Sequence, residues 1–203
     1  MRFWAIEGNT FRLDGGSLFG NAPKVLWQRW MTPDEQNRVL LASRCLLWET
    51  DEGKKILFEA GMGDFFEDKL RERYEVSPKG NDLLRNLEAV GVAPQDIDTV
   101  VLSHLHFDHC GGLLTPYSEE KEQELVFPNA SFVVGKRHWE RCLQPNPREK
   151  ASFLPQLTKL LQNSSRLTLV DETSSIHPLI KFSEYDGHTV GMLLTEFKLE
   201  SPV

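Results

Sequence analysis

The fold and the site that we expect both follow from one stretch of the chain, Ser103-His104-Leu105-His106-Phe107-Asp108-His109-Cys110-Gly111-Gly112. This stretch holds half of the chain's six histidines together with one aspartate. It follows Thr99–Leu102, a short apolar and β-branched run that is typical of a buried strand. Because side chains alternate along an extended backbone, His104, His106 and Asp108 are predicted to project together. His109 breaks the alternation and can serve a neighbouring position.

Imidazole nitrogens and carboxylate oxygens are ligands that suit zinc and related divalent metals. A catalytic zinc site keeps three protein ligands and leaves one position for water, whose pKa falls to roughly 7. Hydroxide is then available at neutral pH to attack a carbonyl or phosphoryl centre. Surface histidines grouped by accident are the alternative, and the buried-strand pattern before them argues against it. The stretch therefore predicts metal-dependent hydrolysis.

The rest of the chain alternates between strand and helix patterns. Strands are predicted at residues 2–7, 38–50, 55–58, 99–102, 130–135, 167–170, 179–182 and 192–199, with helices at 65–74, 81–90, 136–143 and 153–161. A turn is predicted at Asp14-Gly15-Gly16. Alternation of this kind favours the α/β class. No repeat or linker is evident, so residues 1–203 are expected to form a single domain.

Composition limits the classes of partner and compartment. A net charge of −7 and the lack of a basic stretch argue against nucleic acid and against an anionic membrane surface. No signal peptide or membrane span is visible. The cysteines are odd in number and far apart, which predicts buried, reduced thiols in a cytoplasmic protein; they are Cys45, Cys110 and Cys142.

The spacing His104-x-His106-x-Asp108-His109 resembles the signature of the metallo-β-lactamase superfamily. Asp186–Gly191 is similar to that family's second metal motif, and Leu57–Gly61 to its strand-plus-glycine element. The resemblance implies an αββα sandwich, two mixed sheets flanked by helices. It further implies that His104, His106 and His188 hold one metal, zinc being the expected ion. Asp108 and His109 would face a second metal, with Asp108 the candidate general base for the attacking water.

Within the superfamily, the chain most resembles the quorum-quenching branch that opens N-acyl-homoserine lactones. The segments that carry this likeness are residues 13–20, 23–24, 26–27, 34–37, 145–148 and 152–153. A metal-bound hydroxide opening a lactone or related ester, a small-molecule substrate, is the function implied. Leu18, Phe19 and Trp27 are candidate substrate contacts, although core packing explains them equally well. Trp27 and Trp30 are candidates for a homodimer contact.

The chain departs from the family pattern at three places. Glu59 stands where the family usually has aspartate, and Met192 stands where a histidine is often found. No histidine follows His188, and the acids after it are Glu196 and Glu200, which read as solvated strand residues. The family's bridging aspartate and final histidine lie further along than Val203. We therefore expect an incomplete second metal site, in a domain that lacks its C-terminal part.

Two further functions compete with lactone hydrolysis. A glutathione-thioester hydrolase or a mononuclear iron thiol oxygenase would use the same fold, although no basic pocket for a glutathione carboxylate is evident. A catalytically inactive, partner-binding fragment would explain the missing ligands. The remaining histidines, His138 and His177, are predicted to be surface residues.

Overall fold

The computed structural model describes residues 1–199 and places eight strands in two sheets. The strands are β1 (Arg2–Asp14), β2 (Arg38–Glu49), β3 (Lys55–Phe58), β4 (Thr99–Leu102), β5 (Ser131–Gly135), β6 (Leu167–Val170), β7 (Ile180–Tyr185) and β8 (Met192–Phe197). The first six form one sheet in chain order, and β7 pairs with β8. Pairing in the large sheet is antiparallel from β1 to β3 and parallel from β3 to β6.

Seven helices connect or flank these strands. They are α1 (Gly15–Phe19), α2 (Lys24–Trp27), α3 (Asp68–Tyr74), α4 (Asp82–Ala89), α5 (Phe107–Cys110), α6 (Lys136–Leu143) and α7 (Pro155–Asn163). Short 3-10 turns lie at Pro94–Asp96, Gly111–Leu113 and Lys150–Ser152. None of these helices is long and apolar enough to cross a membrane.

The central strands of the large sheet are buried on both faces, which explains the continuous apolar run of β4. Val100 and Leu102 belong to a core shared with buried residues of α4, α6 and α7, whereas Val101 belongs to a second core shared with β7 and β8. In β5, Phe132 belongs to the first core and Val133 to the second. The predicted α/β class is confirmed, with a mixed sheet, a second sheet and helices; the second sheet is an antiparallel pair within the residues described.

Most predicted elements lie within a few residues of the observed ones, and the largest differences are near the N-terminus. The first strand continues past residue 7 to Asp14, with a bulge between Glu7 and Thr10, because β2 is long enough to pair with all of it. The turn predicted at residues 14–16 is instead the start of α1. The Asp14 carboxylate accepts a hydrogen bond from the Ser17 N–H at 2.9 Å and caps that helix.

Candidate metal centre

The loop after β4 carries the first two candidate ligands in an extended backbone. His104 and His106 project to the same side, as alternation predicts, and His106 is the last extended residue, with φ −69° and ψ 146°. Residues 107–110 then form α5, so Asp108 and His109 occupy consecutive positions of a helical turn. The prediction that Asp108 follows the alternation is wrong because the chain turns into this helix one residue earlier.

Three imidazoles converge at the end of the large sheet. His106 Nδ1 lies 3.1 Å from His188 Nε2, and the same His188 nitrogen lies 3.2 Å from His104 Nε2. Each of the three residues offers a nitrogen within 4.8 Å of the others. His104 and His106 are buried, whereas His188 is exposed on the loop between β7 and β8. The sequence-predicted first metal set is therefore brought together in space.

The chemistry of this set fits a divalent cation. Burial, aided by the neighbouring histidines, lowers the pKa of His106 to about 3 and the pKa of His104 still further, which keeps both rings neutral. Neutral imidazole is the form that ligates metal. In a tetrahedral zinc site with Zn–N distances of about 2.0–2.1 Å, two ligand nitrogens lie roughly 3.3 Å apart. The nitrogen–nitrogen distances found here are close to that value.

Glu59 orients His109 beside the triad. One Glu59 oxygen lies 2.7 Å from His109 Nδ1, and the other accepts a hydrogen bond from the Ser103 N–H at 2.7 Å. Burial lowers the pKa of His109, but the hydrogen bond and charge of Glu59, with Asp108, outweigh it and hold that pKa above its ordinary value. His109 Nε2 faces Asp108 Oδ2 at 3.7 Å. The Glu59 side chain is longer than that of the aspartate usual in the family. It bonds both to His109 and to the Ser103 N–H just after β4.

His138 is a site residue that the sequence analysis missed. The prediction that it lies on the surface is wrong, because it is 0% exposed at the start of α6. Its Nε2 accepts a hydrogen bond from the Leu105 N–H at 2.8 Å, and its Nδ1 lies 3.0 Å from the Val190 carbonyl. Burial lowers its pKa, so the neutral ring has Nδ1 as the donor to Val190. One side chain therefore ties the loop of His104 and His106 to the loop of His188.

A second tie to α6 holds the His188 loop. Arg137 donates to both oxygens of Asp186, at 3.1 and 2.8 Å, and Asp186 accepts the Gly191 N–H at 2.9 Å. These bonds hold the pKa of Asp186 below its ordinary value. Gly191 has φ +67° and packs so closely that an added Cβ would lie 2.7 Å from the backbone nitrogen of His138. The predicted second metal motif is thus a loop clamped at both ends.

Two pairs of glycines pack the metal loop against the end of β3. An added Cβ on Gly112 would lie 2.0 Å from the Ala60 carbonyl oxygen, and one on Gly111 would lie 2.3 Å from that of Met62. Gly112 N–H donates to Gly61 O at 3.0 Å across this contact. Gly63 faces the Gly112 backbone in turn. Only residues without a side chain allow this approach.

A cavity of about 390 Å³ opens beside the histidines, and we call it the metal-side cavity. Its lining includes Leu18, Glu59, Asp108, His109 and His188. Leu18 therefore lies where a substrate contact was expected. Phe19 and Trp27 do not line this cavity: their rings stack on each other at 4.7 Å, and Trp27 is buried against Gly15.

Two further residues singled out in the sequence, His177 and Glu196, lie away from the triad. His177 is half-buried and packs edge-on against Trp48. Glu196 is bound to Ser183 and Lys181 on the second sheet, and Glu200 is outside the described residues. All three cysteines are buried and free, as predicted. Trp27 is too buried to form a dimer contact, whereas Trp30 is 77% exposed.

Comparison with known families is consistent with this geometry. The model of the metallo-beta-lactamase superfamily matches residues 39–193. The chain belongs to this superfamily. That range includes both loops of the histidine triad, together with Glu59 and His138.

Curated relatives and solved structures extend the comparison. An N-acyl homoserine lactonase of a Bacillus species is 26% identical over 78% of this chain, and one of Bacillus thuringiensis is 29% identical over 72%. The chain spans only 60% and 54% of the length of these two relatives. A probable metal-dependent hydrolase from Staphylococcus aureus superposes with a TM-score of 0.82 at 27% identity, covering 97% of this chain and 69% of that one. A dizinc quorum-quenching lactonase, at 22% identity and a TM-score of 0.73 over 97% of this chain and 67% of its own, shares the metallo-beta-lactamase fold.

Proposed function

We propose that this chain carries the metal centre of a hydrolase that opens a lactone or related ester, of the N-acyl-homoserine lactone kind. The observation that carries the proposal is the convergence of the three imidazoles on one point. Relatives that are N-acyl homoserine lactonases, at 26% and 29% identity, support the choice of substrate class.

Each residue of the site has a distinct part in this proposal. His104, His106 and His188 hold a divalent metal, for which zinc is the proposed ion. When bound, the metal polarises the lactone carbonyl and lowers the pKa of a water molecule. Asp108, which lines the metal-side cavity, orients that water and accepts its proton. His109, fixed by Glu59, faces the same space and forms with Asp108 part of a second metal position.

The test of this function joins metal content to turnover. The purified chain, reconstituted with zinc, is expected to bind one or two ions per molecule and to release acid from N-hexanoyl-homoserine lactone, followed in a pH-stat. A lactone-free zinc blank and a heat-unfolded sample are the controls. One bound iron with oxygen consumption on thiols would favour an oxygenase instead. Absence of bound metal and of turnover would favour the inactive, partner-binding alternative.

His138 gives a prediction about metal affinity rather than turnover alone. Replacing it with alanine leaves the Leu105 N–H and the Val190 carbonyl without their partner, so the two ligand loops lose their common anchor. We expect zinc to bind roughly 10–100-fold more weakly, since partners that orient ligands contribute about that much. Chelator-competition titration measures this. His138→Gln, which keeps an acceptor for Leu105, should recover part of the loss.

A matched control separates positioning from general destabilisation. Leu83 is fully buried in α4, and truncating such a core leucine to alanine costs about 2–5 kcal/mol of unfolding free energy. Leu83→Ala should therefore lower the unfolding temperature while leaving zinc affinity unchanged. If Leu83→Ala weakens zinc binding as much as His138→Ala does, the positioning role of His138 is wrong.

Compartment and assembly complete the proposal. Three buried, free thiols support a reducing compartment such as the cytoplasm. The exposed indole of Trp30 supports a contact with a second copy, which sedimentation of the wild type and of Trp30→Ala would test.

A further inference from the structure

A second cavity, of about 480 Å³, is lined by four arginines, and we call it the arginine cavity. They are Arg12 of β1, Arg38 of β2, Arg73 of α3, and Arg148 on the segment after α6. The only carboxylate in the described lining is that of Asp14. No basic pocket for a glutathione carboxylate is evident in the sequence, and this cavity is not visible there either, because its arginines come from four separate segments that only the fold brings together.

Two of these arginines are already neutralised by neighbouring acids. Arg12 Nε lies 2.8 Å from Glu75, and Arg38 is bound to both Glu75 and Asp34. The Asp14 oxygens are occupied by the Ser17 N–H and the Asn37 amide, each at 2.9 Å. These ion pairs and hydrogen bonds fix one wall of the arginine cavity. The carboxylates near it are therefore already bonded within the protein.

The other two arginines supply uncompensated positive charge. Within residues 1–199, neither Arg73 nor Arg148 forms an ion pair, and both are exposed. A guanidinium presents donors in a fork that matches the oxygens of a carboxylate or phosphate. Ser17, Tyr74 and Ser152 add neutral donors to the same lining. An alkyl chain placed there would desolvate guanidinium groups without hydrogen-bonding them, which is unfavourable.

The arginine cavity adjoins the metal-side cavity along shared backbone. Phe107 lines the arginine cavity, and the next residue, Asp108, lines the metal-side cavity. On α1, Ser17 lines the arginine cavity and Leu18 lines the metal-side cavity. Ser152, in the arginine cavity, precedes Phe153, which pairs with His106 in an isolated β-bridge. The two cavities therefore lie side by side, lined by consecutive residues at two places in the chain.

Resting on the hydrolase function proposed above, we propose that the arginine cavity binds an anionic group at the far end of the substrate. The group is a carboxylate or a phosphate held by Arg73 and Arg148, on a molecule whose ester bond lies at the metal ligands. The site thus selects an acidic acyl chain over a plain alkyl chain.

A matched set of lactones tests this selection on the zinc-loaded chain. N-adipoyl-homoserine lactone ends in a carboxylate, N-heptanoyl-homoserine lactone is an uncharged chain of similar length, and a phosphate-ended analogue gives the third arm. We expect kcat/KM to be roughly tenfold higher for the better charged substrate than for the heptanoyl one, and the ratio to fall with added salt. The charged lactone with the higher kcat/KM shows whether the arginine cavity prefers a carboxylate or a phosphate.

Variants show whether the arginines cause that ratio. The double variant Arg73→Gln/Arg148→Gln should reduce the charged-to-uncharged ratio about tenfold, to near one. Arg29→Gln removes an exposed arginine that forms no ion pair among the described residues and does not line the cavity, so the ratio should stay unchanged. Equal kcat/KM for all three lactones in the wild type, or a ratio unaffected by the double variant, would overturn the proposal.

A readout without turnover keeps this inference separate from the proposed function. The ³¹P resonance of inorganic phosphate is expected to broaden when the phosphate binds to the metal-free chain. The double variant Arg73→Gln/Arg148→Gln should lose this broadening, whereas Arg29→Gln should keep it. If no lactone is hydrolysed but this pattern is found, the hydrolase proposal fails and the anion site stands. If lactones are hydrolysed without regard to charge and phosphate binding does not depend on the arginines, the anion site fails alone.

Discussion

Replacing His106 with alanine is expected to weaken zinc binding by several hundredfold and to abolish hydrolysis while the chain stays folded. His106 contributes one of the three clustered nitrogens, through Nδ1 at 3.1 Å from His188. Zinc held by protein ligands is bound with about 10–16 kcal/mol in total, so one ligand of three or four carries about 3–4 kcal/mol. That corresponds to a loss of affinity of a few hundredfold to a thousandfold. Chelator competition and metal analysis measure the affinity, and circular dichroism measures the fold.

The control for this variant is a histidine outside the triad. His177→Ala removes an imidazole that packs on Trp48, away from the clustered nitrogens, so zinc affinity should be unchanged. The His106→Ala chain should still unfold cooperatively on heating, because His106 is neutral in the wild type and makes no ion pair in the described structure. Full zinc content and full turnover in His106→Ala would refute the assignment of the triad as the metal centre.

Gly112→Ala is expected to be the most destabilising small substitution in the chain. The new methyl group would lie 2.0 Å from the Ala60 carbonyl oxygen, a distance that only backbone movement can relieve. Movement there breaks the Gly112–Gly61 hydrogen bond and shifts the loop of His109 away from Glu59. We expect a loss of about 4 kcal/mol or more in unfolding free energy, or roughly 10 °C in Tm. Chemical denaturation of the metal-free protein gives the value directly.

Gly91 provides a comparison that separates steric overlap from backbone conformation. It has φ +78°, but nothing lies within 4 Å of an added Cβ. Gly91→Ala therefore meets only the left-handed backbone penalty, about 1–2 kcal/mol. If both alanine variants lose the same stability, close packing of the glycines is not what holds the metal loop.

The sequence is informative about the site where one short segment carries the signal. The extent of β4 and the proximity of His104 to His106 follow from local pattern alone, because apolarity and alternation are properties of consecutive residues. The position of Asp108 does not follow from it, since the helical turn at residues 107–110 depends on packing of Phe107 against the core.

Residues that act across the chain were harder to recognise. His138 lies on α6, and nothing local reveals that β5 is the parallel neighbour of β4 or that α6 begins beside both ligand loops. The four arginines of the arginine cavity likewise belong to separate elements. In both cases the missing information was strand order and register, which sequence periodicity leaves undetermined.

The parallel order of β3, β4 and β5 makes the backbone around His104 sensitive to strand register. Glu59, His104 and His138 follow the ends of these three adjacent strands, in the registers Phe58 with Val101 and Val101 with Val133. Glu59 accepts a hydrogen bond from the Ser103 N–H and His138 accepts one from the Leu105 N–H, so the two neighbouring strands fix the backbone on both sides of His104. A slip of β3 or β5 by one residue would move its side chain by about 3.3 Å and break that hydrogen bond. Each misaligned pairing therefore loses a contact that the native alignment keeps.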